Sequence, residues 1–150
     1  MRIGEAKLSL AVQYASKNLR QPSRSQLRRW ISAALALDAA ITLRIVDAKE
    51  GRELNRAYRK KDYATNVLTF VYDEPLDGVV HGDIVLCAPV VAKEAREQSK
   101  KLPHHYAHLV THATLHLQGY DHEKGCAAEV MERREIDLLA RMRIPNPYRS

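Results

Sequence analysis

A cluster of histidines dominates the second half of the sequence, and its spacing favours metal binding. Six of the seven histidines fall from position 104 to position 122. His112 and His116 are four residues apart, so on a helix both imidazoles lie on one face and can share one ion. Gly119 can end that helix in a left-handed conformation, and the chain reversal would bring His122 back towards the pair. Three neutral imidazoles with one open position are typical of a catalytic zinc site.

Four of these histidines form a ladder with intervals of four residues, from His104 to His116. All four cannot bind one ion, because the ends of the ladder lie about 18 Å apart at a rise of about 1.5 Å per residue. We interpret His104 and His105 as exposed polar residues near the helix start. His108 is either a neighbour of the site or a packed histidine. The predicted ligands of one Zn²⁺ ion are therefore His112, His116 and His122.

The spacing HxxxHxxGxxH also occurs in the metzincin proteases, which offers an alternative interpretation. Those enzymes carry a glutamate directly after the first histidine as general base. Here that position is Ala113, whose methyl group cannot accept a proton. A zinc metallopeptidase-like hydrolase therefore remains as an alternative, but without the base that the protease mechanism uses.

Hydrophobic periodicity predicts the elements that position these histidines. The 150 residues fit one domain, 1–150. The expected fold class is α+β, with a mixed sheet of about four strands, five or so helices, and the zinc site on a late helix and the turn after it. Predicted strands are 7–12, 40–46, 66–71 and 83–87; predicted helices are 23–37, 47–59, 89–100, 103–118 and 126–142.

The apolar stripes of these helices predict which side chains are buried. In the second helix, Leu54 and Tyr58 are expected on the buried side. The apolar stripe of the last helix is expected to consist of Val130, Met131, Ile136, Leu139 and Ala140. Both cysteines are expected to be buried small hydrophobic residues, at positions 87 and 126.

Charge and composition restrict the class of function. The formal net charge is +6, and residues 1–62 carry 14 basic and 6 acidic residues while residues 63–150 carry a small negative excess. A basic half favours a polyanionic partner. The two cysteines suit a reducing cytoplasm. No apolar run approaches the roughly 18 residues of a membrane span, so we expect a cytoplasmic protein without membrane contact.

Three blocks of sequence resemble one known family. Residues 112–122 read HATLHLQGYDH and are similar to the signature HGxLHLxGYDH of the YbeY endoribonucleases, which are rRNA maturation factors. Residues 54–70 fit the family pattern LNxxYRxKDxxTNVLSF, and residues 82–84 match its GDI strand. The resemblance is strong over residues 41–126.

The resemblance implies a metal-dependent endoribonuclease that is specific for single strands. It would act in rRNA maturation at the 3′ end of the 16S rRNA and in ribosome quality control. Its partners would be ribosomal RNA and the small ribosomal subunit, with no membrane and no DNA. Three histidines would bind zinc, and Arg59 and His116 are the predicted catalytic residues. Arg59 can hold a phosphate with its guanidinium fork, and Lys60 and Lys61 can add attraction to the RNA backbone.

Two departures from the family pattern carry expectations of their own. Ala113 replaces the usual Gly and is expected to crowd the pocket slightly. Gln118 stands where Leu is frequent and is expected on a tolerant face. Candidate hydrogen-bond partners for the imidazole N–H groups are Asp83, Asp121 and Glu123. Because no general base is evident, a non-catalytic ribosome-assembly factor with a structural metal is a further alternative.

Overall fold

The computed structural model describes residues 6–72, 78–120 and 125–149. Within them the chain forms four strands and five helices, in the order that the sequence predicts. The predicted α+β class is confirmed, although several element ends differ by a few residues. The strands are β1 (Leu8–Ala15), β2 (Asp38–Val46), β3 (Val67–Val71) and β4 (Val79–Cys87). The helices are α1 (Arg24–Ala34), α2 (Ala48–Arg59), α3 (Ala88–Glu97), α4 (Leu102–Leu117) and α5 (Gly125–Arg141).

The four strands form one mixed sheet in the order β1-β2-β4-β3. β1, β2 and β4 are parallel, with Leu43 opposite Val12 on one side and Ile84 on the other. β3 is antiparallel to β4, so that Thr69 lies opposite Ile84. The expected pairing of two consecutive strands in a mixed sheet is therefore confirmed.

β3 forms one edge of the sheet, and its outer side faces the candidate site. Tyr72 N donates to His81 O, and Cys87 N donates to Asn66 O. Residues 72 and 81, and residues 66 and 87, are therefore hydrogen-bonded pairs of the antiparallel ladder. Hydrogen-bonded and non-hydrogen-bonded pairs alternate along an antiparallel ladder. The peptide groups of residues 67, 69 and 71 therefore point away from β4. No other strand pairs with this edge in the part of the chain that the structure describes.

Helix α4 packs across the sheet and is buried along most of its length. Tyr106 and Val110 belong to one core cluster with Leu43 and Ile84. The end of α4 approaches β4 closely at Gly82, where a Cβ atom would lie 2.7 Å from Leu117 Cδ2 and 2.8 Å from Phe70 O. A side chain at position 82 would thus push the histidine-bearing helix away from the sheet.

Several burial predictions differ from the structure. Tyr58 is 67% exposed although it lies on the same face of α2 as the buried Gly51 and Asn55, because it stands in the last turn of the helix, where that face borders the cleft described below. Cys126 is exposed at the start of α5, whereas Cys87 is buried as expected. In α5 the buried residues are Met131, Glu135, Leu138 and Leu139, while Val130 and Ala140 are exposed. The predicted stripe is therefore right for Met131 and Leu139 and wrong for Val130 and Ala140, and it misses the buried carboxylate of Glu135.

The two departures from the family pattern have different effects from those expected. Ala113 is fully buried in the main core cluster and does not line the cleft described below. Gln118 does not lie on a tolerant face, because its side chain connects α4 to the end of α1. Its Oε1 accepts from the backbone N–H groups of Ala36 at 2.8 Å and Leu37 at 3.3 Å, and its Nε2 donates to Ala34 O at 2.8 Å. Among the described helices, none is long and apolar enough to cross a membrane.

Candidate active site

The predicted site residues of α2 and α4 meet in one cleft of about 500 Å³. Its walls are α4, which contributes His112 and His116, and edge strand β3. Arg59, the last residue of α2, lines the same cleft. The structure therefore brings together three residues that lie in two distant segments of the sequence.

His116 is fixed by the turn that ends α4. Gly119 adopts a left-handed conformation with φ of 101°, as predicted, and Tyr120 N donates to Leu115 O at 3.2 Å. This reversal brings Tyr120 O within 3.1 Å of His116 Nδ1. Because a carbonyl oxygen can only accept, Nδ1 carries the hydrogen, and Nε2 carries the lone pair that a metal ion would bind.

His112 is fixed by a carboxylate from another helix. Its Nδ1 lies 2.9 Å from Glu135 Oε2, and its side chain is 22% exposed. The same argument applies, since the carboxylate accepts a hydrogen bond from Nδ1–H and leaves the lone pair on Nε2. Metal-binding imidazoles usually donate their second ring N–H to a carboxylate or a backbone carbonyl. The two histidines thus have the donor set and the tautomers that fit a zinc ion.

The third predicted ligand, His122, lies outside the described residues, as do Asp121 and Glu123. Within residues 6–72, 78–120 and 125–149, no group of three or more His, Cys, Asp or Glu side chains is placed to hold a metal. The predicted set of three ligands therefore remains a prediction. The other candidate partner, Asp83, lies on β4 and hydrogen-bonds to the Tyr72 hydroxyl.

Glu135 is the centre of a buried polar network behind the cleft. Its side chain is 0% exposed. Its Oε1 accepts from His108 Nε2 at 2.9 Å and from the Tyr148 hydroxyl at 2.7 Å, while Oε2 accepts from His112. Burial alone would raise the pKa of this carboxyl, but the hydrogen bonds from His108, His112 and Tyr148 lower it to about 2. Glu135 is therefore ionised and oriented towards His112 at neutral pH.

This network settles the role of His108 and reveals two residues that the sequence did not indicate. His108 is a neighbour of the site through Glu135, with its ring 6.4 Å from that of His112. Tyr148 follows α5 and closes over Glu135, and its pKa is raised by burial and by this carboxylate. No local motif marks Glu135 or Tyr148. The available signal was a carboxylate at helical spacing among the apolar residues of α5, one helical turn after Met131.

Arg59 is positioned by the end of α2. The helix ends at Lys60, which adopts a left-handed conformation with φ of 61° and donates its N–H to Asn55 O. The loop that follows is held by a bidentate ion pair between Arg52 and Asp62, at 2.8 and 3.0 Å. Arg59 therefore extends from an ordered helix end into the cleft, as the sequence predicted for a residue that ends a helix.

Lys60 and Lys61 are exposed and follow Arg59 directly, but they do not line the cleft. They add positive charge beside the cleft. Their predicted contact with RNA remains a prediction.

A second polar network supports the β3 wall of the cleft. Asn66, at the start of β3, donates from Nδ2 to Glu94 Oε1 at 3.0 Å and accepts from Val67 N through Oδ1 at 2.6 Å. His105 Nε2 donates to the same Glu94 oxygen at 2.9 Å. The prediction that His105 is exposed is wrong, because this hydrogen bond lets the imidazole be buried at 3% exposure. Burial lowers the pKa of His105, and Glu94 opposes that effect.

The comparison with known proteins decides the family. The family model described as Endoribonuclease YbeY matches residues 11–143. The chain belongs to the YbeY family. An Endoribonuclease YbeY from Thiobacillus denitrificans is 59% identical over 143 residues, which cover 95% of this chain and 97% of that protein. One from Burkholderia pseudomallei is 55% identical over 152 residues, which cover 97% of this chain and 82% of that protein.

A solved structure shows the same fold at greater distance. The solution structure of TM1509 from Thermotoga maritima is 22% identical and matches with a TM-score of 0.53, covering 94% of this chain and 99% of that one. The YbeY match includes Arg59, both described histidines and Glu135. These four residues therefore lie within the region that the family model matches, whereas Tyr148 follows it.

Proposed function

We propose that this YbeY-family chain is a zinc-dependent endoribonuclease that cuts single-stranded RNA during rRNA maturation. Proteins that are more than half identical to it carry the name endoribonuclease. The observation that carries the proposal is the cleft in which Arg59 lies with the two oriented imidazoles of His112 and His116. The proposed site of action is the cytoplasm, with the 3′ end of the 16S rRNA as target and ribosome quality control as the wider role.

Arg59 would bind the scissile phosphate. Its guanidinium group can donate two parallel hydrogen bonds to phosphate oxygens and offset the charge that builds on them during cleavage. Because α2 ends at Arg59, the side chain reaches the cleft from a rigid helix, which limits the entropy lost on binding.

His112, His116 and His122 would hold one Zn²⁺ ion. When bound, this ion would supply Lewis-acid polarisation of a phosphate oxygen and of water. Glu135 keeps His112 in the tautomer that presents Nε2, and the Tyr120 carbonyl does the same for His116. These contacts orient both rings before substrate binds.

The charge distribution supports an RNA partner. Residues 1–62 carry 14 basic and 6 acidic residues, and this segment includes Arg59. Lys60 and Lys61 continue the positive surface beside the cleft. Neutralisation of phosphates by such residues gives a salt-dependent affinity for RNA. We infer that ribosomal RNA in the small ribosomal subunit is the partner that this surface binds.

RNA cleavage by matched variants tests the proposal. Purified wild type, His116→Ala and Arg59→Glu are assayed on a single-stranded RNA and on casein, with and without a chelator, and the zinc content of each is measured. Arg56→Glu is the control, because Arg56 is exposed on the same helix but does not line the cleft. Each of the two site variants should lose about 100-fold or more in rate, since each removes a group that stabilises developing charge.

The zinc content separates the two roles. Arg59→Glu should keep its zinc and lose activity, whereas His116→Ala should lose both. Equal RNA cleavage by all four proteins would reveal a contaminating nuclease and contradict the assignment. Zinc binding by wild type without RNA cleavage would favour the assembly-factor alternative, and cleavage of casein would favour the peptidase.

A further inference from the structure

We propose that Tyr58, with Phe70 and Tyr72 beside it, forms a platform on which an unpaired RNA base stacks next to the cleft. This inference rests on the proposed RNA substrate and adds a residue that selects single strands. Tyr58 is the residue before Arg59 and lies in the last turn of α2. Its side chain was expected in the core, yet 67% of the residue is exposed.

Contacts hold the exposed Tyr58 ring in one orientation. It meets the Phe70 ring edge to face, with centroids 5.0 Å apart and an interplanar angle of 71°. Such an edge-to-face pair favours this relative orientation of the two rings. Phe70 itself lies on β3, which is fixed to β4 by the ladder. The platform is therefore organised before a ligand arrives, and little conformational entropy is lost when a base binds.

Tyr72 extends the platform along β3. It is two residues after Phe70, so both side chains lie on the same face of the strand. Its hydroxyl is hydrogen-bonded to Asp83. This hydrogen bond is the main cause that raises the pKa of Tyr72; burial, the charge of Asp83 and the nearby Tyr58 phenol raise it further. Tyr72 is 53% exposed. Two exposed tyrosine rings thus lie close to the half-buried ring of Phe70.

The position of the platform points to RNA rather than to another ligand. Tyr58 and Phe70 line the same cleft as Arg59, His112 and His116. Lys60 and Lys61 are exposed in the adjoining loop. An aromatic surface beside a basic groove is the arrangement by which proteins bind single-stranded nucleic acids, because bases stack on the rings while cations contact the backbone.

Base stacking on the platform would also account for specificity. In a duplex, bases are stacked on each other and cannot turn towards a protein ring, whereas an unpaired base can. A strand held by Arg59 at the phosphate would place a neighbouring base against Tyr58, since both residues line the cleft. The platform would therefore exclude double-stranded RNA without reading its sequence.

Binding of base-bearing and abasic RNA tests the inference. The zinc-loaded protein is titrated into a labelled single-stranded oligomer, and into matched oligomers with one abasic ribose placed at successive positions, with gels to verify that the RNA stays intact. The variants are Tyr58→Ala and Tyr58→Phe. The control is Tyr63→Ala, because Tyr63 is 55% exposed but does not line the cleft.

We expect Tyr58→Ala to weaken binding of the base-bearing oligomer roughly 5- to 150-fold, the range that one stacked base contributes. Tyr58→Phe keeps the ring and should bind within about 3-fold of wild type. For one abasic oligomer, wild type and Tyr58→Ala should bind equally, because the stacking partner is already absent. The dependence of affinity on salt should be unchanged, since no phosphate contact is removed.

Two results would overturn the inference. One is that Tyr58→Ala binds the base-bearing oligomer as wild type does. The other is that it loses the same affinity for every abasic oligomer, which would indicate a structural effect. In either case cleavage by wild type would still stand, so the proposed function would be unaffected. Failure of wild type to bind or cut any RNA would overturn both.

Discussion

Replacing Glu135 by Gln should weaken zinc binding without unfolding the protein. The amide has nearly the same shape as the carboxylate, so the packing around α5 is kept. It lacks the negative charge that now lies 2.9 Å from His112 Nδ1 and accepts two further hydrogen bonds, from His108 and Tyr148. The amide can offer its single oxygen to only one side of this network, and its NH₂ group must face the other. His112 Nδ1–H therefore either loses its hydrogen-bond acceptor or donates to a neutral amide oxygen, which is a weaker acceptor than a carboxylate.

The size of the effect follows from comparable metal sites. Loss of a hydrogen-bond partner behind a ligating imidazole typically weakens metal affinity about 10- to 100-fold. That change corresponds to about 1.4–2.7 kcal/mol of binding free energy. At saturating zinc, the melting temperature of Glu135→Gln should rise less than that of wild type. A ligand stabilises the folded state in proportion to the logarithm of its concentration over Kd, and the variant has the larger Kd.

Competition with a chromophoric chelator measures zinc affinity directly, and thermal unfolding with and without zinc gives a second estimate. Glu132→Gln is the matched control, because Glu132 is exposed on the same helix and the substitution changes the net charge equally. Glu132→Gln should bind zinc like wild type. Wild-type zinc affinity in Glu135→Gln, with only a lower melting temperature, would show that the carboxylate supports the fold and not the ligand.

Three further predictions concern the fold that positions the cleft. Gly82→Ala should lower the free energy of unfolding by about 1–3 kcal/mol, because the new methyl group meets Leu117 and a backbone oxygen; an unchanged urea midpoint would contradict the close approach. Gln118→Ala should lower the free energy of unfolding by about 1–2 kcal/mol in the same assay, since it leaves backbone groups at the end of α1 without their hydrogen-bond partner. An unchanged free energy of unfolding would show that position 118 tolerates substitution. The hydrogen bond and the charge of Arg44 lower the pKa of Glu50 below 4.5, so this pair stabilises the fold above that pH and the contribution is lost as the pH falls further. Glu50→Gln should therefore show a smaller decrease in melting temperature on acidification from pH 5 to about pH 3 than wild type, and an equal decrease would refute the assignment.

The sequence predicted the parts of the site that depend on local pattern. His112 and His116 share a helix face because they are four residues apart, and Gly119 ends that helix because the turn needs a positive φ. Arg59 ends α2 as expected. These features follow from spacing and backbone preference within a few residues, so one sequence contains enough information to find them.

The features of the site that the sequence did not predict depend on contacts between elements that are distant in the chain. Glu135 is 23 residues from His112, and no local pattern shows that this buried carboxylate accepts hydrogen bonds from two imidazoles and a tyrosine hydroxyl. Tyr58 was expected in the core because a tyrosine at helical spacing from Leu54 usually continues an apolar stripe. In the fold, Gly51 and Asn55 are buried on that face, but Tyr58 stands in the last turn of α2, where the same face lines the cleft.

The network behind His112 also sets an order of events during synthesis. Tyr148 is translated 36 residues after His112, which corresponds to roughly 2–7 s at about 5–20 residues per second. Glu135 is translated before Tyr148, so until then the carboxylate that orients the imidazole lacks the hydroxyl that closes over it. A nascent chain should thus be a poor nuclease while it is still attached to a ribosome, whose own RNA is the proposed class of substrate.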